Sequence, residues 1–404
     1  MGRLARLAGS AGAMHAAGSL MQRVGTVSLM IGIGQFCGLD VLGQWAVGQT
    51  LALAVQGPVG MSLAQVMLAG RDAAGGSGRN AFLAALKLAF VATGAVMLLA
   101  FALSAGAVLP ADWRMLDGRA LAAVAAYTMG GTAYMLVAAR LLVDGDGMRL
   151  RRLAWVGGVA ALLPALLAFG AAAWWTVAGV GVVLGAGSLS CAALAAADWR
   201  TMGPSGVRAV LHRALPLALA NALLNPAVFI SVSVVGVQGG MPAAALYNIG
   251  NQLRNLFMVP VALWMPVHLR HLVVSGGRGV PYGGAAALLG IAVLAALMAY
   301  PQMAWRLFTS SAPTPQALTV VRLTLLSVPL LVFNSIAGQV FIARGRLWTT
   351  FGLTALWCLG LLLGYLALGS VDSVAERMSM AQIAAYAAVG VATVLLRLRA
   401  GRAR

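Results

Sequence analysis

The chain has 404 residues, is 61% hydrophobic and only 9% charged, and carries a formal net charge of +18. Soluble domains carry about a quarter charged residues, so this composition excludes a water-soluble fold and makes the bilayer the solvent. Nucleic acid is excluded as the origin of the charge, because the arginines recur at alternate loops without interleaved aromatics, which is a topology signal.

The opening segment, MGRLARLAGSAGAMHAAGSLMQR, is basic and lacks a clean apolar core followed by a cleavage site. It reads as a cytoplasmic lead-in to the first helix. A membrane span needs roughly 20 apolar residues. Twelve spans are expected, over 24–40, 43–69, 81–109, 119–143, 153–172, 175–197, 212–236, 243–268, 282–301, 316–342, 347–369 and 379–396. The fold class is therefore an all-α polytopic membrane protein. The break DWRTMGPSGVR at 198–208 lies at the midpoint. It divides the chain into an N-terminal six-helix bundle (1–200) and a C-terminal six-helix bundle (201–404), with no loop long enough for a catalytic domain.

Between these spans the arginines alternate. Twenty of them, from Arg3, Arg6 and Arg23 through Arg71, Arg79, Arg140 and Arg149 to Arg402 and Arg404, fall on one side. Arg114, Arg119, Arg306 and Arg377 fall on the other, with Arg322 just inside a helix. The positive-inside rule places the first set and both termini in the cytoplasm.

The second span begins WAVGQTLALAVQGPVGM (45–61) and the eighth begins YNIGNQLRNLFMVPVAL (247–263). An offset of 202 residues superposes Trp45 on Tyr247, Gly48 on Gly250, Gln49 on Asn251, Leu51 on Leu253 and Pro58 on Pro260. A repeat of half the chain inside apolar sequence marks a duplicated transporter. Pro58 and Pro260, at matched positions, are candidate hinges, since proline frees a backbone carbonyl and lets a helix bend.

All nine carboxylates lie at helix ends or in loops, so no buried carboxylate pair is available as a proton relay. The cations differ. Arg254 lies near the middle of the eighth span, Lys87 inside the third and Arg322 inside the tenth. A charge at the bilayer centre normally faces a wet cavity or a partner. Arg254 has no carboxylate partner at its depth, which points to an anionic ligand. Lys87 and Arg322 are close enough to the interfaces to snorkel instead. Tyr247, Asn251, Arg254 and Met258 share one helix face, with Asn248, Gln252 and Asn255 beside it. Gln49 and Gln56 on the second span, Asn221 and Asn225 on the seventh and Asn334 on the tenth extend the polar set. Amides serve as interhelical glue as readily as ligands for sugar hydroxyls. Cys37, Cys191 and Cys358 read as apolar fillers, and the four histidines complete no metal site.

Two stretches carry a family resemblance. GLDVLGQWAVGQTLALAVQGPVGMSLAQVMLAGRD (38–72) resembles the helix one–two region of bacterial polysaccharide repeat-unit flippases of the Wzx type. ALYNIGNQLRNLFMVPVALWMP (245–266) resembles their helix eight, with an aromatic start and a mid-helix Arg. These flippases belong to the multidrug/oligosaccharidyl-lipid/polysaccharide exporter (MOP) superfamily. The resemblance implies two pseudo-symmetric bundles in a MATE-like V around a central cavity. It implies passage of a polyprenyl-diphosphate-linked glycan, within membrane lipid, across the bacterial cytoplasmic membrane for O-antigen-type polysaccharide synthesis. It further implies polysaccharide polymerase or assembly proteins as partners. On this reading Arg254, with Lys87 or Arg322, meets the diphosphate. Tyr247, Asn251, Asn255, Gln49, Gln56 and Asn225 meet the glycan. No metal or cofactor is expected, and the coupling ion stays open between a proton and Na+. The rivals are an ion-coupled small-molecule or drug antiporter of the same fold, a membrane glycan polymerase or ligase, and an inactive scaffold.

Overall fold

The computed structural model describes residues 20, 24–69, 90–91, 93–95, 98, 102, 116–144, 146, 148–153, 155–159, 184–190, 192–193, 207–258 and 284–402. Among these the secondary structure is helical, with no strand. The expected spans 81–109, 153–172 and 175–197 lie largely outside the described residues, as does the distal part of 243–268.

Helix α1, Val24–Cys37, ends in a π-turn over Ile33–Cys37. α2 runs over Leu39–Gln56, a second π-turn over Gly57–Met61, and α3 over Ser62–Ala69. α4 is Gly118–Asp144. α5, Val207–Phe257, is broken only at Gly240. α6, Gly284–Ala299, is followed by α7, Pro301–Phe308. α8, Pro315–Leu326, and α9, Val328–Ala343, form one span with a tight turn at Ser327. α10 covers Leu347–Ala367 and α11 covers Val374–Arg402. Among the described residues five segments, including Gly118–Leu141, Ala214–Phe257 and Pro315–Ala343, are long and apolar enough to cross a membrane.

Three local expectations change. The loops expected at 41–42 and 237–242 are absent: one residue makes each break. Gly38 has φ 86 and ψ 175, and Gly240 has φ 81 and ψ 169. Glycine alone enters this backbone region without strain, so each pair of helices is joined by a single residue. The two glycines stand 202 residues apart, the offset of the sequence repeat. Pro58 falls in the Gly57–Met61 π-turn, the widened turn that removal of a backbone N–H favours. Finally, α7 stands in a stretch expected to be a loop. Its sequence PQMAWRLF buries Pro301, Ala304, Trp305 and Phe308 and exposes Met303, Arg306 and Leu307.

α2 lies along α5 for its whole length. At the arginine-poor end, Gly43 packs on the Met241 carbonyl. Deeper, Gly57 packs on the side chain of Asn225, and Asn221 Nδ2 donates to Ser62 Oγ at 2.8 Å. α7 closes over the end of α1: Gln35 Nε2 donates to the carbonyls of Arg306 (2.9 Å) and Leu307 (3.2 Å), and Gly34 packs on the Phe308 carbonyl. These contacts seal the arginine-poor end between an early and a late part of the chain.

An alanine methyl at Gly34 would collide with the Phe308 carbonyl, a backbone atom that cannot turn aside. Gly34→Ala is expected to destabilise the protein by about 1–3 kcal/mol, read as a lower unfolding temperature in detergent. Gly352→Ala, whose added carbon meets open space, should leave that temperature unchanged. A Gln35→Cys/Leu307→Cys pair should cross-link readily in the parent background and poorly with Gly34→Ala.

Candidate functional site

The break at Gly240 sets the second limb of α5 against both α2 and α11. Its sequence then repeats polar groups at helical spacing. Tyr247, Asn248, Asn251, Gln252 and Arg254 are all buried, at 0%, 1%, 5%, 9% and 6% exposure. Asn255 is half-buried on the flank.

Arg254 is the centre of this group. Nη1 donates to Gln382 Oε1 of α11 at 2.8 Å. The guanidinium carbon lies 5.6 Å from the centroid of the Tyr386 ring, one helical turn further along α11. That is cation–π range. Tyr386 is itself fixed, because its carbonyl accepts from Asn334 Nδ2 of α9 at 2.9 Å and its ring packs on Trp357 of α10. The partners are all neutral. The carboxylates with described side chains, Asp40, Asp117, Asp146, Asp372 and Glu376, are half-buried or exposed, and none is buried beside the guanidinium. Among the described residues, then, no carboxylate pairs with the buried Arg254 guanidinium.

Among the described residues, Arg254 Nε, Gln382 Nε2 and Asn248 Nδ2 are buried donors without a hydrogen-bond partner. A buried cation with unused donors is unfavourable alone and favourable toward an anion.

The other expected site residues divide. Gln49 Oε1 accepts from Gln252 Nε2 at 3.3 Å, a buried amide pair that joins α2 to α5 next to Arg254. Gln56 Nε2 donates to the carbonyls of Tyr127 (3.2 Å) and Thr128 (3.4 Å) of α4, and Asn225 Nδ2 to Asn221 O at 3.0 Å. Gln56 is thus interhelical glue, whereas Asn225 bonds back to its own helix and packs its side chain on Gly57. Arg322 is exposed on α8 while Val320, Val321 and Thr324 are its buried neighbours, so it is not brought to the Arg254 group. Lys87 and Pro260 lie outside the described residues.

Sequence reasoning missed Gln382 and Tyr386. Their signal was available: Gln382 is the one amide in the Val374–Arg402 helix, with an aromatic four residues on. Among the described residues no group of three His, Cys, Asp or Glu is placed to hold a metal.

No protein-family model matches the sequence, and no curated protein matches it. Solved structures do. The fold is similar to the MATE multidrug transporter DinF-BH in complex with R6G, at TM-score 0.74 and 15% identity over 99% of this chain and 97% of that one. It is similar to a multidrug-resistance MATE family transporter of the MOP superfamily in an outward-facing conformation, at TM-score 0.69, 16% identity and coverage of 98% and 96%. It is also similar to a MOP superfamily transporter from Pyrococcus furiosus, whose reversed binding-pocket polarity was taken to suggest a different function. That match has TM-score 0.68, 16% identity and coverage of 98% and 96%. At these identities the likeness shows the fold: an all-α polytopic membrane protein with the architecture of MATE and MOP transporters.

The Arg254–Gln382 pair makes its own prediction. Gln382→Ala leaves the guanidinium without its acceptor, a loss of about 1.5–3 kcal/mol for a hydrogen bond to a charged group. The unfolding temperature in detergent should fall. In an Arg254→Gln background the same change should cost less, and a double-mutant cycle should return a clear coupling.

Proposed function

We propose that this chain flips a polyprenyl-diphosphate-linked oligosaccharide repeat unit from the inner to the outer leaflet of a bacterial cytoplasmic membrane, for surface polysaccharide synthesis. The transporter fold supports movement by alternating access. The observation that carries the substrate class is the buried Arg254, which meets neutral partners on α11 and no carboxylate among the described residues. A cationic drug would be repelled there, whereas a diphosphate gains charge-assisted, bidentate hydrogen bonds from guanidinium. A structure of similar fold, the Pyrococcus furiosus transporter, is described as having a binding pocket of reverse polarity that suggests a different function, which is in keeping with this reading.

The proposed cycle follows from the contacts. The arginine-rich loops face the cytoplasm, so the seal of α7 on α1 and of Met241 on Gly43 closes the periplasmic side. The passenger enters from the cytoplasm, with its lipid tail remaining in the bilayer. Its diphosphate takes the free donors around Arg254, and amides on α5 and α2 meet the sugars. Rocking of the N-terminal six-helix half against the C-terminal one parts α7 from α1 and Met241 from Gly43 and opens the far side. Pro58, in its π-turn, and Pro260 absorb the bending. Lys87 and Arg322 serve as secondary contacts for the anionic passenger on its way in or out. Polymerase and assembly proteins take over the delivered unit.

A second reading, an ion-coupled multidrug antiporter, rests on the solved MATE transporters that share the fold. It lacks a buried carboxylate among the described residues to hold a cationic substrate or a coupling cation.

The deciding measurement is the leaflet distribution of lipid-linked repeat units in a strain depleted of this protein. The units should accumulate on the cytoplasmic face, and surface polysaccharide should fall. Arg254→Glu at normal membrane abundance should fail to restore flipping. Unchanged flipping by that variant would remove the assignment of Arg254. Uptake of a soluble cationic dye that stops when the ion gradient is dissipated would favour the antiporter instead.

A further inference from the structure

The last two helices carry a second feature, independent of Arg254 and of the flippase reading. α10 and α11 are antiparallel and touch closely over one half of their length. A carbon added at Gly360 would lie 3.2 Å from Ala385 Cα, and one at Gly364 would lie 3.2 Å from Ala381 Cα. Continuing that register toward the arginine-rich end places Gly352 opposite Thr393. There the helices have parted: a carbon added at Gly352 meets nothing within 4 Å. The gap is an open groove of about 450 Å3 lined by Thr349, Gly352, Leu353, Ala392, Leu395 and Leu396.

The lining is apolar except for one hydroxyl, and its rim is cationic. Arg344 ends α9, Arg346 stands at the N-cap of α10, and Arg397 follows Leu396 on α11; all three are exposed. Arg346 makes no side-chain cap, so the first N–H groups of α10 point to the same rim. These N–H groups and the helix dipole favour an anion. None of the described acidic residues belongs to this rim. Trp348, 59% exposed and edge-on to Phe351, stands beside it as an interfacial aromatic does.

We propose that this groove binds one anionic phospholipid, with an acyl chain on the Gly352–Leu395 floor and the headgroup phosphate between Arg346, Arg397 and the start of α10. An acyl chain supplies the apolar shape, and the rim supplies charge complementarity that a zwitterionic lipid meets only weakly. The bound lipid wedges the parted ends of α10 and α11, which their small residues hold together only at the far half.

The test uses the full-length protein in mixed micelles. Dioleoyl phosphatidylglycerol or dioleoyl phosphatidylcholine is titrated in, and retained lipid is counted by native mass spectrometry beside the unfolding temperature. Phosphatidylglycerol should be retained and should raise the unfolding temperature; phosphatidylcholine should do neither. Arg346→Gln and Arg397→Gln should each weaken retention by roughly fivefold. Gly352→Phe, which adds its ring to open space, should abolish retention while leaving the lipid-free unfolding temperature in place. Equal retention of both lipids, or full retention by Gly352→Phe, would overturn the proposal. So would displacement of phosphatidylglycerol by polyprenyl phosphate at equal concentration, which would make the groove a passenger site. None of these readouts depends on flipping, so the lipid site and the flippase reading stand or fall separately.

Discussion

The fold depends on how closely α2 and α5 approach. In a bilayer the lipid tails are as apolar as the helix surfaces, so helices associate through tight packing and hydrogen bonds. This pair uses both. Glycines at 43 and 57 let the backbone of one helix meet a carbonyl or a side chain of the other. The amide pair Gln49–Gln252 and the Asn221–Ser62 bond then fix the register. Arg254 lies two residues beyond Gln252 and so on the other side of α5, where it meets Gln382 and Tyr386 of α11.

The same contact explains why a guanidinium is tolerated there. Burying a charge without a counter-ion costs several kcal/mol, and Gln382 and Tyr386 return only part of it through one charge-assisted hydrogen bond and one ring face. The remaining cost is a standing bias toward an anion, and it is larger because the interior is dry. A carboxylate in place of Gln382 would remove that bias and turn a binding site into a structural ion pair. The neutrality of the partners therefore matters as much as the charge of Arg254.

Much of this was legible in the sequence. Composition pointed to the membrane and to an all-helical chain, and the breaks at Gly38 and Gly240 stand at the offset of the repeat read from 45–61 and 247–263. The central cation and its face of α5 could be read from helical spacing. What could not be read was set by tertiary contact. Gln49, Gln56 and Asn225 look like Asn251 in sequence, yet Gln49 is engaged by the Gln252 amide and the other two by backbone carbonyls. Only packing distinguishes an amide used as glue from one with free capacity. Gln382 and Tyr386 lie 128 and 132 residues from Arg254, and no local pattern links them. The π-turns and the α7 plug arise from proline chemistry and from a short amphipathic face, signals too brief for a span-length window.

The repeat also shows where symmetry ends. Gly38 and Gly240 share an unusual backbone at the 202-residue offset, and Trp45 and Tyr247 are both fully buried beside tyrosines, Tyr127 and Tyr386 respectively. At that offset the partner of Arg254 is Ala52, which is 0% exposed within α2. A second arginine there would be buried in α2 with no buried carboxylate among the described residues to pair it, at a cost of several kcal/mol. Breaks and packing thus match at the 202-residue offset, while the buried charge stands on one side of it only. On the flippase reading proposed above, a one-sided charge has a consequence for movement: an anion held at Arg254 would travel with the later half of the chain. Rocking of that half against the other then changes which side of the membrane the anion faces, without any change in its immediate contacts.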